Sequence, residues 1–230
     1  MSATTTFHIR GLSEGIEDGQ FMIDAFDASL PALAAIGSGG QWGLTPFAER
    51  PNVGARAKIF EQAQGYQSTG EGDPISMFIV EAEVSPEALA ELPDSVYVRT
   101  VGDKKLLAVG SVMLSEGIYP KYLNDHFDKE AIRKPLDGTS DYIYLEALIT
   151  DYRTGPWRRG AGAALIEHAR RFCREKGKST IFVDSYAGND RKLVKYYEKQ
   201  GFTIVSDFES PKPDGSTWPG TFYRMDVVTA

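Results

Sequence analysis

Apolar residues along the chain recur with two periods, and the changes of period mark its elements. Thr5 to Arg10 reads as a first strand and Gly11 to Gly15 as a turn. From Ile16 to Ile36, the residues Phe21, Met22, Ala25, Phe26, Leu30, Leu33 and Ala34 fall at helical spacing. A break or re-entry is expected at Pro31, which has no N–H for the helical ladder. Gly37 to Gly40 ends this helix, Gln41 to Asn52 is loop-like, and Val53 to Gln64 is helical again. Ile75 to Val84 is strand-like and Pro86 to Leu92 a short helix. Val96 to Val101 and Leu106 to Leu114 form an antiparallel hairpin about Gly102-Asp103-Lys104. Tyr119 to Gly138 is polar and aromatic with Pro120 and Pro135, which predicts an irregular or partly helical crossover covering the sheet.

The second half is more regular. Tyr142 to Ile149 is a strand, and Trp157 to Lys178 is a glycine-rich turn opening into an amphipathic helix. Thr180 to Asp184 is a strand. Asn189 to Gln200 is a helix capped by Asn189 or Asp190 and stopped at Gly201. Phe202 to Phe208 and Thr221 to Val228 are final strands joined by the insertion PKPDGSTWPG. Antiparallel strands followed by strand–helix–strand–helix–strand–strand predict an α/β sandwich around a mixed central sheet flanked by helices, with an enlarged N-terminal helical region.

Composition narrows the function classes. With 42% hydrophobic residues the chain can bury a substantial core, and one domain over 1–230 is expected. A formal net charge of −7 repels nucleic acid and anionic membranes and favours cationic ligands. Cys173 is the only cysteine, so a reducing, cytoplasmic compartment is expected. Its place on the apolar helix face makes it a small core residue. No stretch approaches a membrane span, and His8, His126 and His168 lack metal-ligand spacing, so no metal is expected.

The strongest chemical signal is the start of the helix after Trp157. A helix's first turn presents N–H groups without intrahelical partners, and the macrodipole adds a positive potential there. Gly160 and Gly162 put no side chain in front of those groups, and Arg158 and Arg159 add two permanent charges. These residues read as a seat for a pyrophosphate, or else as small residues that let the helix pack closely on the sheet. A dinucleotide-binding oxidoreductase is one alternative, since Gly160-Ala161-Gly162 begins its glycine fingerprint and Asp184 ends the next strand, where a ribose-binding acid belongs. Leu165 at the third small position and the long connection from Ile149 to Gly160 count against it.

From Leu145 onward the chain resembles the GNAT superfamily of acyl-coenzyme A-dependent N-acyltransferases. Its pattern Gln/Arg-x-x-Gly-x-Gly/Ala is matched by Trp157-Arg158-Arg159-Gly160-Ala161-Gly162 except at Trp157, and DYRTGPWRRG is longer than the usual connection. Independently, Tyr197-Glu198-Lys199-Gln200-Gly201-Phe202 has the form typical of the superfamily's last helix and following strand. The resemblance implies acetyl transfer from acetyl-coenzyme A to an amine of a small molecule or peptide. Residues 96–230 would be the acyl-carrier core and the divergent residues 1–95 an acceptor wall. It further implies that the backbone of Arg158, Arg159, Gly160, Ala161, Gly162 and Ala163 receives the pyrophosphate, and that the main chain of Leu148, Ile149 and Thr150 pairs with pantetheine.

Two steps of the implied chemistry need proton carriers. An alkylamine near pKa ~10 must lose a proton before attack, and a thiolate near ~8.5 leaves more readily with a donor. Glu146 is the candidate base, or else a partner in a cross-strand salt bridge. Tyr197 is the candidate acid, or else a core residue alongside Leu193 and Val194. Tyr196 is the substitute if the helix is rotated, and it also falls where the carrier would bind. Asn189 either touches the carrier or only caps its helix. Trp42, Phe47, Tyr119 and Tyr122 are expected on the acceptor wall, and Trp218 closes over the acceptor or packs at a homodimer contact. A non-catalytic acyl-coenzyme A sensor is the second alternative, with the same binding residues and no turnover.

Overall fold

A computed structural model describes residues 5–13, 17–51, 53–212 and 215–227, the side chains of 53–57 excepted. Residues 14–16, 52, 213–214 and 228 of the expected turn, helix, loop, insertion and last strand fall outside these. In chain order the elements are β1 (Phe7–Gly11), α1 (Asp18–Ala35), α2 (Val53–Thr69), β2 (Ile75–Val84), α3 (Pro86–Ala90), β3 (Val98–Val101) and β4 (Lys104–Glu116). They continue with α4 (Glu130–Leu136), β5 (Tyr142–Thr150), α5 (Ala161–Glu175), β6 (Thr180–Tyr186), α6 (Gly188–Lys199), β7 (Thr203–Pro211) and β8 (Thr217–Asp226). Short 3₁₀ turns lie at Phe47–Glu49, Lys121–His126 and Tyr152–Arg158.

The eight strands form one mixed sheet in the order β1-β2-β4-β5-β6-β8-β7, with β3 on β4. β5 and β6 run parallel, joined through α5, whereas β1/β2, β3/β4, β6/β8 and β7/β8 are antiparallel. A dinucleotide fold needs a parallel, doubly wound sheet, so the oxidoreductase alternative loses its scaffold.

The chain divides into two compact units. One comprises Met1–Ala32, Thr45–Met113 and Ala147–His168; the other comprises Leu33–Leu44, Leu114–Glu146 and Ala169–Ala230. In the first unit, β2 and β4 carry buried runs including Met77, Ile79, Val80, Leu107 and Val109, as strands covered on both faces do. Phe21, Met22, Ala25, Phe26 and Leu30 are buried, as their spacing predicts. Contrary to expectation, α1 runs through Pro31. The proline is exposed and near the helix end, where it removes one backbone bond without stopping the ladder. Glu81, 1% exposed, lies between the guanidinium groups of Arg10 (2.8 Å) and Arg99 (2.6 Å), and Arg10 also grips Asp18 at the start of α1 (2.7 Å).

The second unit has an aromatic core of Tyr142, Tyr144, Phe182, Phe208 and Phe222. Leu123, Ile132 and Leu136 of the predicted crossover close over it. Gly37, at φ +80°, ends α1 with the N–H groups of Gly37 and Ser38 returning to Ala34 and Leu33. The expected insertion is strand at Pro211 and over 217–220, where Pro211 pairs with Thr217. Trp218 is therefore part of β8. Its ring packs near Phe208 and Tyr186 and its indole N–H donates to the Gln41 carbonyl at 3.2 Å. Cys173 is fully buried, with its thiol near the carbonyls of Lys178 and Thr180. Burial pushes its pKa up to about 11.

The start of α6 departs from the expected cap. Asn189, Asp190 and Arg191 lie in the left-handed region, with φ of 51°, 54° and 59°. Neither Asn189 nor Asp190 caps the helix. The Asn189 amide instead donates to the Ile36 carbonyl (2.8 Å) and to Ser38 Oγ (2.6 Å), which ties the start of α6 to the turn after α1.

Candidate active site

The parallel ladder of β5 and β6 pairs Tyr142 with Thr180, Ile143 with Ile181, Tyr144 with Phe182 and Leu145 with Val183. Glu146 and Asp184 stand one step beyond the last pair. Because side chains alternate along a strand, they share a face with Tyr144. Asp184 Oδ1 accepts hydrogen bonds from Tyr144 Oη (2.5 Å) and from Tyr122 Oη (2.6 Å), and Glu146 Oε1 accepts one from Ser115 Oγ of β4 (2.7 Å). Burial, opposed by the Ser115 bond and reinforced by the charge of Asp184, pushes the Glu146 carboxyl up to about 7. Asp184 is also raised by burial, against the lowering effect of its two tyrosine donors. A carboxyl that titrates near neutrality can take a proton from an ammonium group and release it again. Among the described residues, no group of histidine, cysteine and carboxylate side chains could hold a metal.

The glycine turn is built in the first unit. From Thr150 the chain enters the Tyr152–Arg158 turn, where Gly155 has φ 54°. Asp151, fully buried, accepts from the Arg153 N–H (3.0 Å) and pairs with the Arg153 guanidinium (2.9 Å). The Thr154 hydroxyl returns to the Asp151 carbonyl at 2.7 Å. The length of DYRTGPWRRG is thus taken up by a stapled turn. Gly160, at φ +90°, places the first turn of α5 at Ala161, Gly162 and Ala163, whose N–H groups precede the first helical donor, the Ala164 N–H that bonds to the Gly160 carbonyl. A Cβ at Gly160 would meet the Phe7 ring at 3.4 Å. The Arg158 guanidinium lies over the Tyr152 ring (3.7 Å) and reaches Thr150 Oγ1 (3.3 Å), while Arg159 is exposed.

α6 explains its motif physically. Gly201, at φ +92°, lets the Phe202 N–H return to the Tyr197 carbonyl and the Gly201 N–H to that of Glu198. This helix ending brings Tyr197 and Phe202 into edge contact, with ring centroids 5.5 Å apart. Tyr197 is 6% exposed and also packs on Tyr196 and Tyr223, and burial pushes its hydroxyl well above the usual range. Tyr196 is less buried and is also raised by burial.

Residues 89–202 match the model of the acetyltransferase (GNAT) family, a span that begins in α3 and includes β5, the glycine turn, α5, β6 and α6. The chain carries a domain of the GNAT family. No curated protein matches the sequence. Among solved structures, an N-acetyltransferase from Staphylococcus aureus Mu50 is similar at TM-score 0.56 and 13% identity, covering 97% of this chain and 99% of that one. A candidate GNAT acetyltransferase from Desulfovibrio desulfuricans is similar at 0.55 and 10% identity, covering 97% and 100%. YncA of Salmonella typhimurium, a candidate acetyltransferase solved with its cofactor acetyl-CoA, is similar at 0.55 and 11%, covering 97% and 95%. At these identities the likeness is one of fold, and the fold is the GNAT fold.

The expected acceptor residues separate. Phe47 is 1% exposed, stacked on Phe26 with ring centroids 4.7 Å apart, so it belongs to the core of the first unit. The loop polarity around it hid this, because Asp27 of α1 accepts the Phe47 N–H and draws the ring inward. Trp42 is half-buried. Tyr119 packs against the aromatic core of the second unit, its hydroxyl donating to Asn124 at 3.1 Å. Tyr122 alone of the four lines a cleft of about 950 Å³, together with Asp125, Asp128, Lys129, Arg191 and Glu209 among others.

One member of the cluster around Glu146 escaped the sequence reading, and another was read for a different role. Ser115 carries no motif, and only the register of β4 brings it to Glu146. Asp184 drew attention as an acid at the end of a strand, but for the rival cofactor.

Proposed function

We propose that this GNAT domain transfers an acetyl group from acetyl-CoA to a cationic amine. The observation that carries the reading is the raised Glu146 carboxyl at the end of the β5/β6 ladder, on the strand that leads into the glycine turn. The residues fit the carrier: the first-turn N–H groups of Ala161 to Ala163, with Arg158 and Arg159, would hold its pyrophosphate, and the main chain of Leu148 to Thr150 its pantetheine arm. The carrier supplies the thioester that is consumed.

Glu146 accepts a proton from the substrate ammonium, and the freed nitrogen lone pair attacks the thioester carbonyl carbon. The carbon–sulfur bond then breaks, the departing thiolate takes a proton from the Tyr197 hydroxyl, with Tyr196 as the substitute donor, and the second proton shed by the nitrogen as it becomes an amide restores the tyrosine. The cleft lined by Tyr122 supports a cationic acceptor. Its Arg191 is paired with Asp207 (3.1 Å) and its Lys129 donates to the Asp207 carbonyl (2.7 Å), while Asp125, Asp128 and Glu209 add negative charge.

The test is thiol release from acetyl-CoA across a panel of mono- and polyamines, with binding followed separately by thermal shift. Transfer that depends on Glu146 is expected. Stabilisation by acetyl-CoA without transfer to any amine would leave the sensor reading instead.

A further inference from the structure

Resting on that reading, we propose that Ser115 and Asp184 are positioning residues for Glu146. The serine hydroxyl fixes one carboxylate oxygen and leaves the other to meet the amine, while Asp184, anchored by Tyr122 and Tyr144, keeps the pair ready to receive a proton. The geometry carries this. Ser115 holds Oε1 at 2.7 Å, and Oε2 has no hydrogen-bond partner among the described residues. Asp184 occupies the register step beside Glu146 and spends a single oxygen, Oδ1, on both tyrosines.

The groups that face Glu146 come from four places: Ser115 on β4, Asp184 on β6, Tyr122 on the Lys121–His126 turn, and Tyr142 and Tyr144 on β5 itself. No cation acts on Glu146 among them. Ser115 therefore favours the carboxylate, by hydrogen bonding to the charged form, and Asp184 opposes it by like charge. Tyr122 and Tyr144 stabilise the Asp184 anion and so sustain that repulsion. Cutting the serine bond and neutralising the aspartate should move Glu146 in opposite directions, which general damage to the fold would not do.

The experiment is a carbon-13 titration of the side-chain carboxyls in glutamate-labelled full-length protein, with the Glu146 signal assigned by its loss in Glu146→Gln. In Ser115→Ala the Glu146 midpoint should rise, and in Asp184→Asn it should fall, each by about one pH unit. Tyr122→Phe supplies a second downward arm if Asp184→Asn fails to fold, because Asp184 would then protonate earlier and repel less. The acidic limb of kcat/KM should follow the same shifts. Midpoints that stay fixed, or that move together in one direction, overturn the assignment. The titration needs no substrate, so its outcome is separable from the amine panel. Shifted midpoints with no transfer would sink the acetyltransfer reading alone, and transfer with fixed midpoints would sink only the roles of Ser115 and Asp184.

Discussion

Glu146 and Asp184 extend the β5/β6 ladder by one unpaired register step, so two carboxylates stand side by side where the hydrogen bonding of the strands ends. Burial resists the ionisation of Glu146 most, and the like charge of Asp184 adds to the resistance. The outcome is a glutamate with its carboxyl at about 7.

Glu146→Gln should lower kcat/KM by about 10²-fold or more at neutral pH and flatten its acidic limb. The same variant has a stability signature. The folded value of about 7 lies above the ordinary 4.5, so the wild type's contribution is full below 4.5 and is lost as pH rises through 7. Relative to the wild type, the glutamine variant should therefore gain up to ~3 kcal/mol between pH 4.5 and 8. Urea melts at both pH values measure this, and parallel stability at the two would remove the burial account.

Tyr197→Phe keeps the edge contact with Phe202 and the helix ending at Gly201. It should fold and bind acetyl-CoA normally while losing about 10²-fold in kcat. Full turnover would reassign the proton donor, with Tyr196→Phe as the next variant to assay.

Asp151→Ala removes the staple of the Tyr152–Arg158 turn and leaves the Arg153 guanidinium without its closest partner. A loss of about 3–5 kcal/mol is expected from breaking a buried pair, together with a weaker thermal shift by acetyl-CoA as the approach to Gly160 loosens. An unchanged shift in a destabilised protein would separate the staple from the carrier seat.

Gly188→Ala would place a Cβ 2.2 Å from Tyr186 Oη. Overpacking of this kind costs about 1–3 kcal/mol, and a Tyr186→Ala background should erase most of the added cost. A thermodynamic cycle of the four proteins reads the coupling directly.

How much of this was legible beforehand follows from which interactions are local. Ile75 to Val84 was bounded correctly, because a buried strand is written in its own residues. So was the stop at Gly201, where a helix needs a left-handed residue. The glycine turn was found for the same reason. Pro31 misled because propensity says nothing of how little a single lost bond matters near a helix end. Asn189 misled because its side chain is spent on Ile36 and Ser38, far away in sequence. Phe47 and Trp218 looked like loop aromatics, and only tertiary bonds to Asp27 and Gln41 decide where they lie. Ser115 is the clearest case of a residue whose role exists only through strand register.

The sealed position of Cys173 matters at the bench. The chain has no other sulfhydryl, and this one is buried and held well away from its reactive anion. A chromogenic disulfide reagent added to the native protein should therefore report liberated coenzyme A with almost no background from the protein itself. A cysteine engineered at an exposed site such as Leu44, 71% exposed, would be the only point that takes a dye.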